Sequence, residues 1–190
     1  MIHIKNLSKH LGLRTLFDRI NLDVAPGEFV VITGPSGSGK TTLLNLLLGE
    51  VLPTSGTVHV DGKNIHELNF DDLQKHRTEI GTVFQDYKLF PHKTVFENVA
   101  FPLHLHELPE TEVNARVADL LHDVDLDNHH HHFPHELSGG EQARAAIARA
   151  LTHEPKIILA DEPTGNLDTD HAAAIVKLLL KENAKGKTVV

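Results

Sequence analysis

The stretch Gly34-Pro35-Ser36-Gly37-Ser38-Gly39-Lys40-Thr41 carries the plainest chemistry in the chain. Its spacing, G-x-x-x-x-G-K-[ST], is that of a phosphate-binding loop. Glycines permit positive φ and let backbone approach a phosphate chain closely. Successive N–H groups at a helix N-terminus then favour anionic oxygen. Lys40 is placed to reach the β- and γ-phosphates and the Thr41 hydroxyl to bind Mg²⁺; Thr42 begins the helix behind them. The bland alternative is a Gly/Ser turn joining a strand to a helix. The flanks favour the functional reading: Glu28–Thr33 reads as a buried strand, Thr42–Leu48 carries leucines at helical spacing, and Gly49 offers a stop.

A second site is Ile157-Ile158-Leu159-Ala160-Asp161-Glu162, an apolar strand that delivers carboxylates to its C-terminal end. Asp161 suits Mg²⁺, directly or through water. That leaves Glu162 to polarise water as general base. A strand ending in Asp-Glu is on its own most often a solvated turn; a phosphate loop in the same chain reverses that preference. A third site is Ser138-Gly139-Gly140-Glu141-Gln142, where Ser138 and Glu141 have capping-box spacing. An ordinary helix start is the simplest reading, but each glycine costs up to about 1 kcal/mol relative to alanine inside a helix. The pair makes sense if something, a phosphate first of all, must sit close to the helix N-terminus.

Positioning these groups requires strands and helices in alternation. Residues 2–7 and Phe17–Val24 read as strands, Thr57–Val60 as a strand closed by an Asp61-Gly62 turn, Phe70–Thr78 as a polar helix, and Ile80–Phe84 as a strand with Gln85 at its C-terminal end. From Pro91 to about Thr152 the pattern is helical: one helix opening at Val95–Val99, another at Thr111–His122, a third at Glu141–Thr152, with Pro102 and Pro109 breaking the run between the first two. Strand pattern resumes at Lys156–Asp161, followed by helix Asp170–Asn183 and a strand from Thr188. The 190 residues suffice for one domain with a sizeable core. Charge is −8, with 18 basic against 26 acidic residues and no basic block, so nucleic acid is not the expected partner. Cysteine is absent, which removes disulfides and thiolate metal sites. The N-terminus has no signal-like apolar region, and no apolar run approaches the roughly eighteen residues of a membrane span. A cytoplasmic soluble chain is expected.

In order and spacing, the phosphate loop, Gln85, Leu137–Gln142, Asp161-Glu162 and Thr164-Gly165-Asn166-Leu167-Asp168 resemble the Walker A, Q-loop, signature, Walker B and D-loop of an ABC-transporter ATPase domain. The resemblance spans essentially the whole chain. Phe84-Gln85-Asp86-Tyr87 and Asp161–Asp168 look most like the branch holding the ATPases of lipoprotein release, macrolide export and cell division. The resemblance implies an α/β fold: a P-loop NTPase (RecA-like) core, residues 1–90 and 153–190, with an N-terminal antiparallel β subdomain and an inserted helical subdomain, residues 91–152. It also implies Mg-ATP hydrolysis by a head-to-tail homodimer. Each ATP would lie between one subunit's Walker A loop and the signature (Ser138, Gly139, Gly140, Glu141, Gln142) of the second ATPase subunit, with Asp168 across the seam. Gln85 would contact Mg²⁺ or the lytic water. An integral membrane permease or division-type membrane protein would use the stroke and hold the ATPase peripherally on the cytoplasmic face. Its docking groove is expected beside Gln85–Phe101, with Leu89, Phe90, Val95, Phe96 and Val99.

Soluble ABC ATPases acting on DNA or ribosomes typically carry coiled coils or two fused ATPase domains, which 190 residues cannot hold. A non-catalytic ATP-binding module fits poorly with an intact Asp161-Glu162 pair. Two features depart from the family. The loop Lys9–Leu13 offers only His10 and Leu11 where an aromatic side chain usually stacks on adenine. The chain also ends at Val190, before a histidine expected beyond the last strand, so a fragment of low hydrolytic activity and reduced stability is anticipated. Finally, His129-His130-His131-His132 with His135 can be read as a Zn²⁺ or Ni²⁺ site or as a solvated polar loop.

Overall fold

The computed structural model describes residues 1–105 and 108–190. Strands β1 (Ile2–Leu11) and β2 (Arg14–Val24) form a hairpin. β3 (Ser55–Val60) pairs with the other edge of β1, and β4 (Lys63–Asn64) folds back on β3. The β3–β4 turn is Asp61-Gly62, both at positive φ (48° and 78°), as a tight primed hairpin turn requires. This sheet is antiparallel throughout, in the order β2-β1-β3-β4. Alternation puts Ile2, Ile4, Val58 and Val60 on its buried face. There they join Leu43, Leu44, Leu46 and Leu47 of helix α1 (Lys40–Leu47) in one core. Leu46 is completely buried, and burying such a side chain contributes roughly 1.5–3 kcal/mol. The helix that begins with Lys40 is thus anchored by its leucine face.

The second sheet is parallel, in the order β5 (Ile80–Val83), β6 (Ile157–Ala160), β7 (Thr188–Val189). Its middle strand is buried from Ile157 to Leu159, as expected of a strand covered on both faces. The expectation of a strand over Glu28–Thr33 needs correction. This segment touches β7 in a single parallel bridge, Phe29 to Val189, through Val30 N–H to Val189 O (2.8 Å) and Val189 N–H to Glu28 O (2.9 Å). The segment makes no further ladder, and Val31 stays 71% exposed.

Helix α2 (Phe70–Thr78) is capped by Asn69 and falls where the sequence placed it. Helices α3 (Val95–His104), α4 (Glu110–Asp123) and α5 (Gly139–Ala150) pack together through Val99, Leu103, Val113, Val117, Leu121, Ala145 and Ala148. Pro102 does not break α3 but lies within it. It stands in the last turn, where the helix forfeits one N–H bond and ends two residues later. The opposite face of α5, with Ala143, Ala146 and Ile147, packs with Val83 of β5, Ile158 of β6 and Ile175 of helix α6 (Thr169–Ala184). α5 therefore ties the helical layer to the parallel sheet, and Ser138 stands at its N-cap. The architecture is the α/β one expected, with its antiparallel N-terminal sheet. Among the described residues no helix is long and apolar enough to cross a membrane.

Candidate active site

Three chain segments meet beyond the C-terminal ends of the parallel strands, the edge at which open α/β sheets bind ligands. They are the phosphate loop, Gln85 after β5, and Asp161-Glu162 after β6. In the loop, Gly37 (φ 75°) and Gly39 (φ 104°) take left-handed conformations. A Cβ on Gly39 would also lie 2.8 Å from Phe17 Cζ, so this position needs glycine twice over. Ser38 N–H closes the loop on Pro35 O at 3.1 Å. The Lys40 ammonium donates to Gly34 O (2.9 Å) and Pro35 O (3.3 Å) and lies 3.0 Å from Glu162 Oε1.

Glu162 has φ 46°, a left-handed conformation uncommon for a glutamate. Such backbones persist where surroundings enforce them, and they cluster at functional sites. Here the conformation turns the carboxylate back to Lys40, with Gln85 Nε2 donating to its other oxygen at 3.1 Å. Asp161 is buried, and its N–H is fixed on Val83 O of β5 at 2.9 Å. The Thr41, Gln85 and Asp161 side chains line one cavity of about 440 Å³ together with Asn166. A hydroxyl, a carboxylate and an amide carbonyl are the hard oxygen donors that Mg²⁺ takes. Because the Gln85 amide nitrogen is engaged by Glu162, its oxygen is the end left for a cation. The donor set fits the metal. A neighbouring cavity of about 290 Å³ is lined by Lys40, Asp161, Glu162, Pro163 and Thr164.

The Ser138 helix start is a complete capping box. Ser138 N–H and its hydroxyl both donate to Glu141 Oε2 at 2.7 Å, and Glu141 N–H returns to Ser138 Oγ at 3.3 Å. These bonds, the hydroxyl first, hold the Glu141 carboxyl below its ordinary range, aided by His129 and Arg144. Gln142 turns inward and donates its amide to Pro134 O and Leu137 O. The two glycines have a reason within the chain itself. A Cβ on Gly140 would meet the His171 ring at 2.5 Å, and one on Gly139 would meet Leu167 Cδ2 at 3.2 Å. Within the chain, what presses on this helix start is the segment that leads into α6. Asp168 N-caps α6 by accepting from the Asp170 and His171 N–H groups, and its other oxygen takes His171 Nδ1 at 2.6 Å. Those bonds hold its carboxyl below the ordinary aspartate range. No side chain from Ser138 to Gln142 lines either cavity at Lys40 and Asp161.

Arg14 and His171 escaped the sequence reading, and His129 entered it only as part of the histidine run. Arg14 Nη2 donates to Gly37 O at 2.6 Å, adding a guanidinium beside the phosphate loop. It lies outside every motif, and nothing in its spacing marks it. Leu11 and Leu13 are 54% and 108% exposed, so neither is consumed by packing. Among the described residues no group of three or more His, Cys, Asp or Glu is placed to hold a metal ion. Instead His129 Nε2 lies 3.2 Å from Glu141 Oε1, and the His130 ring stacks on Phe96.

The segment expected beside a partner's groove borders a further cavity. A cavity of about 520 Å³ is lined by Phe84, Lys88, Phe90, Phe101, Leu105 and Arg149, among others. Val95 and Val99 are buried in the helical core, and Leu89 and Phe96 pack against it. Of the five apolar residues expected beside the groove, only Phe90 lines it. Arg149 donates to Tyr87 O and Lys88 O (2.7 and 2.6 Å) and so fixes the loop that follows Gln85.

The family model described as ABC transporter matches residues 17–165. The cell division ATP-binding protein FtsE of Streptococcus pneumoniae serotype 2 (strain D39) is 44% identical over 171 residues, covering 90% of this chain and 74% of that protein. The glutamine transport ATP-binding protein GlnQ of Escherichia coli K12 is 45% identical over 193 residues, covering all of this chain and 79% of GlnQ. Among solved structures, the dimeric post-hydrolysis state of the ATP-binding cassette MJ0796, bound to ADP and Pi, superposes with a TM-score of 0.90 at 42% identity, over 100% of this chain and 86% of that one. Fold, site and matches agree: the chain belongs to the ABC transporter family and is one of its ATPases.

Proposed function

We propose that the chain is the Mg-ATP-hydrolysing subunit of a membrane transport or mechanotransmission complex. The observation that carries this is the convergence of Lys40, Gln85 and Glu162 within 3.0–3.1 Å contacts, beside the cavity that Thr41 and Asp161 line. Backbone N–H groups from Gly34 to Thr42, Pro35 excepted, cradle the phosphates, and Lys40 exchanges its loop carbonyls for phosphate oxygens. Thr41, Asp161 and Gln85 would hold Mg²⁺, which neutralises charge on the β- and γ-phosphates. Glu162 accepts the proton of the attacking water, with Gln85 steering that carboxylate.

A second copy completes the site. The Ser138–Gln142 helix start faces neither nucleotide-side cavity of its own chain, which suits a contact with the partner's nucleotide, and MJ0796 provides a dimeric precedent. Asp168, at the neck of α6, lies next to that surface. Residues 1–90 and 153–190 then act as the nucleotide-binding core and 91–152 as the lever. The groove at Phe90 and Phe101 receives a cytoplasmic segment of an integral membrane protein, which places the ATPase peripherally on the cytoplasmic face. Relatives with transport and cell-division names are consistent with such a partner. A net charge of −8 disfavours nucleic acid.

The test is phosphate release from ATP. Release should require Mg²⁺, stop with chelator, and need more Mg²⁺ in the Asp161→Asn variant. A rate unaffected by chelator would overturn this reading.

A further inference from the structure

One residue of the histidine run reaches the Ser138 helix start. His129 Nε2 lies 3.2 Å from Glu141 Oε1, while Glu141 Oε2 accepts both the Ser138 N–H and the Ser138 hydroxyl. Ring, carboxylate and hydroxyl form one chain of contacts. His129 Nδ1 is buried without a hydrogen-bond partner. The ring proton therefore belongs on Nε2, the nitrogen that has an acceptor, since a proton on Nδ1 would bury an unpaired N–H. His129 thus presents its Nε2 to the Glu141 carboxylate as a close polar contact. Both side chains are mostly covered (29% and 24% exposed), where charge is screened less than in open solvent.

We propose that His129 is a positioning residue for Ser138, acting through Glu141 so that the serine hydroxyl can change partner from carboxylate to phosphate. The proposal rests on the reading that Ser138 meets the nucleotide of a second subunit. A phosphate oxygen and an ionised carboxylate are both acceptors, and Ser138 has a single hydroxyl proton, which Glu141 now holds. Donation to phosphate requires release from Glu141 Oε2, whose negative charge also opposes an approaching phosphate. The His129 N–H offsets both effects. It keeps a donor on the carboxylate when the hydroxyl leaves, and it draws the charge toward Oε1, away from the serine.

The test uses the full chain and reads KM for ATP separately from kcat. His129→Leu removes the donor and should raise KM about 10-fold, in the range of one hydrogen bond to a charged group, with kcat nearly unchanged. His129→Gln keeps an N–H donor and should restore KM. In a Glu141→Gln background, which has no carboxylate charge to hold, His129→Leu should add nothing. An unchanged KM in His129→Leu, or the same defect in the Glu141→Gln background, would overturn the proposal. If the leucine variant does not fold, His129→Asn, whose amide stops short of Glu141, takes its place against His129→Gln; equal KM values for those two would overturn it as well. Absence of saturable ATP hydrolysis by the parent chain would instead refute the functional reading, whatever His129 does.

Discussion

The Lys40 ammonium lies 3.0 Å from the Glu162 carboxylate, so the cation of the phosphate loop and the proposed base form an ion pair across the site. Two backbone carbonyls, of Gly34 and Pro35, complete the acceptors around Lys40. A phosphate oxygen is also an acceptor, so nucleotide binding exchanges like for like at Lys40 and frees Glu162 for water. The left-handed backbone at Glu162, φ 46°, sustains this arrangement.

Lys40→Ala should therefore act on binding. Losing a charge-assisted hydrogen bond is worth about 1.5–3 kcal/mol, or roughly 10–100-fold in Kd for ATP. Titration calorimetry or a fluorescent nucleotide measures it; equal affinities in parent and variant would contradict the role given to Lys40.

Gly140→Ala separates two effects of opposite sign. Alanine favours a helix over glycine by up to about 1 kcal/mol, but the new Cβ would meet the His171 ring at 2.5 Å. Overpacking commonly costs about 1–3 kcal/mol, and the displaced ring is the one that Asp168 holds at the start of α6. A net loss of stability is expected in urea unfolding, and His171→Ala should relieve it. A stabilised Gly140→Ala variant would mean that His171 yields freely.

His66 and His76 give the fold a pH dependence. Burial is the main cause holding both below the ordinary histidine value of 6.5, with mutual repulsion and Lys9 adding at His66. Both ring nitrogens of His66 are buried without partners, while His76 bonds Leu47 O. The folded state thus binds fewer protons than the unfolded chain. Stability is intact above 6.5 and is lost as pH falls below 6.5 and through the lowered folded values. Denaturation midpoints should drop between pH 7.5 and 5.5, and drop less in His66→Leu. An identical slope in that variant would remove His66 from the account.

The sequence revealed most where local chemistry and tertiary structure agree. The phosphate loop, the Asp61-Gly62 turn and the capped α2 are local motifs, and all three stand where the residues indicated. Glu28–Thr33 differs because a β-branched run reports burial tendency, whereas a strand is defined by ladder bonds to a neighbour, and here a single bridge to Val189 supplies them. Pro102 misled because a proline in a final helical turn removes only one bond. The neighbours of Gly139 and Gly140 within the chain, Leu167 and His171, are not legible in the sequence because they come from a distant segment that spacing cannot bring together. Arg14 was invisible for the same reason.

Phe90 and Leu105 test the partner surface. They are 38% and 69% exposed and line the same groove, so Phe90→Glu and Leu105→Glu should leave folding intact. Co-purification with the membrane partner should be lost. Circular dichroism checks the fold, and retained co-purification would move the interface elsewhere.

The central claim is that Glu162 is the base of an ATPase whose other groups bind and position. The direct measurement is steady-state phosphate release by Glu162→Gln beside its affinity for Mg-ATP and its mass by light scattering. Turnover should fall by about 10²–10⁴, the range for losing a general base, while nucleotide binding persists and Mg-ATP drives the variant to a dimer. Hydrolysis at the parental rate would contradict the account.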